Sequence, residues 1–360
     1  MQVEKQAYKN YSEAEASGKT VQIFPDGGVG VIGLGKYLPE KAITNIDIEK
    51  IVDTSDEWII KRTGISERRA AAGGETGVDI AIKAAKAALA DAKIDGGTIG
   101  LVIVATATPD YYSPAAASRV QHAIGAKNCA AFDLNAGCSG ALYAISMAHG
   151  YIRCGACDYA LVIGAEQLTR FIDWNDRKTC ILFGDGAGAA VLGHVPCGFG
   201  IAASMLRSDG EGADTITIPG INISAEDLER RGGVKKPTIW MDGSEVMKFA
   251  SRAMSSAIGD VAAAAGLDIG DIGLVVPHQA NIRIIENAAK RLEIGLDRVF
   301  VNVSKYGNTS AASILIALME AKEEGRIKNG DYVALVAFGA GLAYGAALLR
   351  WQMHTCERIH

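Results

Sequence analysis

From Gly28 onward, short apolar runs rich in β-branched residues alternate with longer Ala-rich stretches of helical period. The runs predict strands at Val29–Gly33, Leu101–Thr106, Ala130–Leu134 and Tyr159–Ile163. They predict four more at Leu274–Pro277, Val299–Asn302, Tyr332–Ala337 and Tyr344–Arg350. Val78–Ala92, Ser244–Ala265 and Ser310–Glu324 predict helices. Several strands are apolar at every position, not at alternate ones. A strand reads that way when helices cover both faces of its sheet, so the order is that of an α/β protein.

Part of the pattern occurs twice. Gly150-Tyr-Ile-Arg-Cys-Gly-Ala-Cys-Asp-Tyr-Ala-Leu-Val162 is matched by Gly325-Arg-Ile-Lys-Asn-Gly-Asp-Tyr-Val-Ala-Leu-Val336. Each segment leads from a helix end through a turn into a buried strand, then to a glycine-rich hairpin and a closing strand, Gly184–Leu192 and Gly339–Leu349. Two similar halves suggest a pseudo-two-fold axis with a site between them. The halves are expected over residues 27–197 and 198–351, with a mobile N-terminal extension over 1–26 and a tail over 352–360.

Charge and composition narrow the function classes. The chain has 360 residues, 49% hydrophobic and 21% charged, which is ordinary globular composition. A net charge of −5 gives no global basic field for nucleic acid. No apolar run reaches the length of a membrane span, and the polar first residues lack a signal-peptide core. Seven cysteines without a disulfide-framework spacing point to free thiols in a reducing cytoplasm. Cys154-Gly-Ala-Cys157 has no second pair for zinc and precedes a strand, so it reads as coincidence.

Three polar residues stand at strand ends or helix starts. In Asn135-Ala-Gly-Cys138-Ser-Gly, Cys138 follows a strand and opens a nearly all-apolar helix. The helix terminus there is expected to favour the thiolate. In Val275-Val-Pro-His278-Gln-Ala-Asn281, His278 lies at the carboxyl edge of a strand, where open α/β sheets place ligands. In Asn302-Val-Ser-Lys-Tyr-Gly-Asn308-Thr-Ser, Asn308 marks a turn before a helix. Taken singly, each has a bland alternative: a buried structural thiol, a satisfied core histidine, an N-cap asparagine. Their shared placement lets all three meet at one end of the sheets.

These residues resemble the 3-oxoacyl-[acyl-carrier-protein] synthase III family of the thiolase superfamily. The likeness covers about residues 28–351 and includes Thr54-Ser-Asp-Glu-Trp-Ile-Ile-Lys-Arg-Thr-Gly-Ile65, Phe183-Gly-Asp-Gly-Ala-Gly188, Pro277-His-Gln-Ala-Asn281 and Tyr306-Gly-Asn-Thr-Ser310. The resemblance implies a thiolase-like fold with layers α-β-α-β-α and the active site between the halves. It implies a decarboxylating condensation of an acyl-CoA with malonyl-acyl-carrier-protein through an acyl-enzyme, initiating fatty acid synthesis. By the same resemblance Cys138, His278 and Asn308 are catalytic, and the N–H groups of Cys138 and Ala340 form an oxyanion hole. Ala340 stands where the family usually has glycine. Trp58, Arg62, Arg177 and Asn281 fall on coenzyme A contacts, and Ser113 on the acyl pocket, where some relatives carry a bulky aromatic. Lys248, Arg252, Arg283 and Lys290 fall near carrier-docking positions. The implied assembly is a homodimer that takes coenzyme A thioesters as substrates and uses no metal or other cofactor.

Other readings are a specialised ketosynthase III-like acyltransferase of secondary metabolism, a thioesterase-like relative that would release free acid, or a non-catalytic scaffold of the same fold. A papain-like protease shares the Cys…His…Asn order, but its local Cys-Gly-Ser-Cys-Trp signature is missing.

Overall fold

The computed structural model describes residues 21–25, 27–220, 222–233 and 236–352. In chain order its strands and principal helices are β1 (Gln22–Ile23), β2 (Gly27–Tyr37), β3 (Lys41–Thr44), α1 (Asn45–Glu49), α2 (Asp56–Thr63), β4 (Glu67–Ala70), α3 (Gly77–Ala92), β5 (Leu101–Ala105), α4 (Ala116–Ala123), β6 (Ala130–Leu134), α5 (Gly140–Arg153), β7 (Ala160–Gln167) and β8 (Asp185–Cys197). Then follow β9 (Gly200–Ser208), β10 (Ile216–Thr217), α6 (Ala225–Arg230), β11 (Trp240–Met241), α7 (Gly243–Ala264), β12 (Ile272–Pro277), α8 (Ile282–Arg291), α9 (Val303–Tyr306), α10 (Ser313–Glu323), β13 (Tyr332–Gly339) and β14 (Ala343–Arg350).

Two mixed five-stranded sheets form the frame, one ordered β2-β8-β7-β5-β6 and the other β1-β9-β14-β13-β12. Their cores repeat one plan. β7 runs parallel to β5 and antiparallel to β8, as β13 runs parallel to β12 and antiparallel to β14. Strand alternation then sets the layers. In β5, Leu101 and Ile103 face the same core as Ala141, Leu142 and Ile145 of α5 and Ile314 and Leu315 of α10. Val102 and Val104 face the other way, onto α3 and α4. In β13, Val333 and Leu335 join the central core, while Ala334 and Val336 face α7 and α8. Helices α5 and α10 are thus sandwiched between the sheets, which explains why both are apolar nearly all round. The layers read α3/α4, sheet, α5/α10, sheet, α7/α8.

The structure departs from the sequence reading in three places. The sequence pattern groups residues 21–25 with the mobile extension, yet Gln22–Ile23 pairs with β9 as an edge strand, and Phe24 lies against His149 with ring centroids 4.1 Å apart. The expected strand Val299–Asn302 reduces to one bridge, Val275 to Val299. There the Gln279 side chain replaces a strand partner: its Nε2 donates to Phe300 O at 3.0 Å, and its Oε1 accepts from Asn302 N at 2.9 Å. Strand β9, of weak β pattern, went unread, although β14 pairs along its whole length. Residues 1–20 and 353–360 lie outside the described residues. No helix among those described is long and apolar enough to cross a membrane.

Candidate active site

Cys138 sits in the tight turn between β6 and α5. Asn135 Oδ1 accepts from Gly137 N at 3.1 Å, and Gly137 takes a left-handed φ of +53°. The hairpin between β13 and β14 packs directly on this turn. A Cβ on Gly339 would stand 2.4 Å from Cys138 N, and one on Gly137 would stand 2.8 Å from Ala340 N. Glycine at both positions lets the Cys138 and Ala340 backbones come together.

His278 leaves the end of β12, its N–H bonded to Val336 O at 2.8 Å and its ring edge-on to Phe338. Nδ1 lies 2.6 Å from Ser313 Oγ on α10, while Nε2 is buried without a partner among the described residues. Asn308 is fixed by its backbone, which donates to Leu182 O at 2.8 Å and accepts from Gly184 N at 3.0 Å. Its Oδ1 accepts from Ser310 N at 2.8 Å, so the amide NH₂ is the end left for the cavity.

Cys138, His278 and Asn308 line one cavity of about 360 Å³ together with Trp58, Arg62, Arg177 and Asn281. Trp58 and Arg62 are four apart on α2 and share a face. Ser55 caps that helix, and Gly64 ends it in the left-handed region. Arg62 and Arg177 flank the indole, their guanidinium carbons 5.5 and 5.0 Å from the ring centroid. Arg177 is anchored by a 2.9 Å bond to Asp53 O. Asn281 caps α8 and donates to Arg62 O at 3.2 Å, tying that helix to α2. A second cavity of about 560 Å³, also lined by Cys138, includes Ala340 and apolar residues such as Leu168, Phe183, Ile216 and Ile239. Ser113 is not among the residues lining either cavity of this single chain.

The cationic residues divide between two places. Arg283 lines the Trp58 cavity, its Nε bonded to Lys61 O at 3.1 Å. Lys248 and Lys290 line a shallow groove between α7 and α8 with Arg291, which the sequence reading had not singled out. Met247 borders both the groove and the cavity. Lys248 is paired with Glu245 at 2.7 Å, and Arg252 lines neither space.

The electrostatics differ from the sequence expectation. Burial pushes the Cys138 thiol up to about 12; the Ser310 hydroxyl opposes that rise and the nearby Glu166 charge adds to it. A helix N-terminus is worth at most about 2 kcal/mol, too little to offset the loss of water around the sulfur. Burial thus works against the thiolate that the helix terminus alone would favour. Burial also pushes His278 down to about 3, so its ring is neutral. Among the described residues no cluster of His, Cys, Asp and Glu could hold a metal ion. Glu166, Ser310 and Ser313 stand around the site; Glu166 inside a buried strand and Ser313 at a helix start carry no local signal, and Ser310 is legible only as the last residue of the Tyr306–Ser310 motif.

Two family models match, the 3-oxoacyl-[acyl-carrier-protein (ACP)] synthase III domain over residues 132–210 and its C-terminal domain over residues 262–351. The chain is 49% identical over 326 residues to the beta-ketoacyl-[acyl-carrier-protein] synthase III of Caldanaerobacter subterraneus subsp. tengcongensis, covering 89% of this chain and 97% of that protein. It is 50% identical over 325 residues to that of Symbiobacterium thermophilum, covering 90% and 98%. The crystal structure of 3-oxoacyl-[acyl-carrier-protein] synthase III from Aquifex aeolicus superposes with a TM-score of 0.84 at 44% identity, covering 90% of this chain and all of that one. Similarity along nearly the full length of such relatives, on a thiolase-like frame, means that this chain belongs to the 3-oxoacyl-[acyl-carrier-protein] synthase III family.

Proposed function

We propose that Cys138 accepts an acyl group from an acyl-CoA and that His278 and Asn308 then promote decarboxylation of malonyl-acyl-carrier-protein against it. The product is a 3-oxoacyl-acyl-carrier-protein, the first condensation of fatty acid synthesis. The observation that carries this reading is a single cavity onto which Cys138, His278 and Asn308 all open, with Trp58, Arg62 and Arg177 along its outer wall. An indole stacks on adenine, and guanidinium groups pair with phosphates.

In the first half-reaction the sulfur of Cys138 attacks the thioester carbonyl, and coenzyme A leaves with the thiol's proton. The N–H groups of Cys138 and Ala340 face the oxyanion that forms. The apolar cavity beyond Cys138 takes the acyl chain. In the second, the carboxylate carbon of the malonyl group leaves as CO₂ and its electron pair becomes an enolate. Asn308 Nδ2–H and His278 Nε2–H donate to the enolate oxygen, whose charge develops only in the transition state. Ser313 supports that tautomer. Its oxygen also lies 3.5 Å from Gln279 N–H, so its own proton turns toward Nδ1 and leaves the hydrogen on Nε2. The enolate carbon attacks the acyl thioester and forms the new carbon–carbon bond as the carbon–sulfur bond breaks, and the departing Cys138 thiolate takes a proton from solvent.

The groove of Lys248, Lys290 and Arg291 beside the cavity mouth is where we place the acidic carrier protein, with Arg283 at the rim. Strand β6 is an edge strand that leaves Phe132 exposed, which supports a homodimer joined there. The six cysteines among the described residues are all free, which suits a reducing cytoplasm. Intact-protein mass spectrometry after incubation with a panel of acyl-CoAs, followed by addition of malonyl-acyl-carrier-protein, tests the reading. Acyl adducts on Cys138 that disappear as a 3-oxoacyl product forms support it. Release of free acid, or no adduct with any acyl-CoA, overturns it.

A further inference from the structure

Two turns of the molecule are copies of each other. Asn135 lies five residues before the first residue of α5, and Asn308 five before the first of α10. Each asparagine Oδ1 accepts from the N–H two residues on, at 3.1 and 2.8 Å. In both turns that second residue is left-handed, Gly137 at φ +53° and Ser310 at φ +47°. Glycine adopts this conformation freely, whereas a residue with a side chain is strained there by about 1 kcal/mol or more. The second turn keeps serine all the same, and its hydroxyl has a specific use: Ser310 Oγ donates to Glu166 Oε1 at 2.9 Å.

Glu166 is wholly buried on β7 and takes no part in the reaction described above. Donors converge on it. Ala107 N–H straddles both oxygens at 3.1 and 3.2 Å, Thr108 Oγ1 lies at 2.6 Å and Thr106 Oγ1 at 3.3 Å, and Ala311 N–H adds a further bond. The two threonine oxygens accept backbone N–H groups, Thr108 from Gln167 and Thr106 from Thr108, so their own protons are free to point at the carboxylate. Burial pushes the Glu166 carboxyl up and the surrounding donors oppose that rise, so the group is a rigid, fully partnered anchor.

We propose that Glu166 and Ser310 act as one positioning unit: the carboxylate pins Ser310 in its left-handed turn, and the Ser310 N–H pins the Asn308 amide with its NH₂ toward the reacting carbonyl. This rests on the role given above to Asn308.

The test separates the two half-reactions in Glu166→Gln, Ser310→Gly, the double variant and, as reference, Asn308→Ala. Each single change at 166 or 310 should slow CO₂ release from malonyl-acyl-carrier-protein about tenfold, the weight of one charge-assisted hydrogen bond, while acylation by acyl-CoA changes less than about twofold. The double variant should be no worse than the poorer single one, because both changes break the same chain. Ser310→Gly should remain folded, since the strain relieved at φ +47° offsets part of the lost hydrogen bond; if Glu166→Gln fails to fold, this variant alone decides. In folded Glu166→Gln, alkylation of Cys138 by iodoacetamide should reach half-maximum at lower pH, because a negative neighbour is gone. Equal losses in both half-reactions, or losses that multiply in the double variant, overturn the unit. Loss of CO₂ release in Asn308→Ala with normal release in both single variants overturns it alone. Normal release in Asn308→Ala overturns the role of Asn308, and the unit with it.

Discussion

The carboxyl ends of the two central parallel strand pairs occupy matching places but carry opposite chemistry. In the first half β5 and β7 pair at an offset of 59 residues, and in the second half β12 and β13 do the same from Leu274 to Pro277. One step past the strand end, Thr106 meets Glu166 across an offset of 60, and His278 meets Phe338 across the same offset. The first pair is a saturated polar knot, its carboxylate surrounded by donors. The second is an imidazole against a phenyl ring with Nε2 left unpartnered. The buried helices differ likewise, since α5 opens just after Cys138, the proposed nucleophile, and α10 opens just after the Asn308 turn. On the proposed mechanism one half supplies the covalent handle, together with the Glu166 carboxylate that anchors Ser310 and Asn308 of the other half, and that other half supplies the donors for developing charge. A duplicated frame yields two registers of the same backbone, and residues placed in each then specialise.

The sharpest way to break this contrast is to remove one half's contribution at a time. Cys138→Ala should abolish acyl-enzyme formation, lowering the overall condensation by about 10⁴-fold or more, with no mass shift on any acyl-CoA. Asn308→Ala and His278→Ala should leave the mass shift in place and lower CO₂ release by roughly 10²–10³-fold, the cost of one oxyanion donor. Acylation and decarboxylation falling together in both sets would dissolve the division of labour.

Smaller effects sharpen the picture. Arg283→Glu and Lys290→Glu should raise the KM for malonyl-acyl-carrier-protein by about tenfold, consistent with loss of one charge contact, and leave acylation by acyl-CoA near normal. A matching rise in the KM for acyl-CoA would instead place Arg283 with the coenzyme, whose cavity it borders.

The smallest expected effect is on stability. Burial pushes His149 on α5 down to about 4 and His278 down to about 3, one in each half. Above pH 6.5 both are neutral whether folded or not. As the pH falls toward 4 the unfolded chain binds protons that the folded chain refuses, so stability drops across that window. Calorimetry should record a Tm roughly 5 °C lower at pH 5 than at pH 7. His149→Phe should remove about half of that decline if the two halves contribute alike.

Much of the frame was legible because period alone encodes it. Continuous apolar runs such as Leu101–Ala105 announce strands covered on both faces, and the duplicated glycine-to-strand segments announce two halves. The edge of the second sheet was not legible. Val299–Asn302 has strand composition, but a single side chain, Gln279, captures its backbone, and nothing in the local sequence reports a partner twenty residues away. The pairing of Gln22–Ile23 with β9 was hidden for a similar reason, since two residues carry no period. At the site, the turn chemistry around Cys138 and Asn308 could be read from glycine and asparagine, whereas the anchoring of Asn308 by Ser310 and Glu166 could not.

By itself the sequence determined the α/β order, the duplication and the three reactive side chain types at strand ends, because each depends on neighbours along the chain. Only the tertiary structure decided that burial opposes ionisation of the Cys138 sulfur, that His278 Nε2 has no partner among the described residues, and that Glu166 stands behind Ser310. Those properties come from water excluded and dipoles aimed by residues distant in sequence, and they exist only once both sheets have closed over the two central helices.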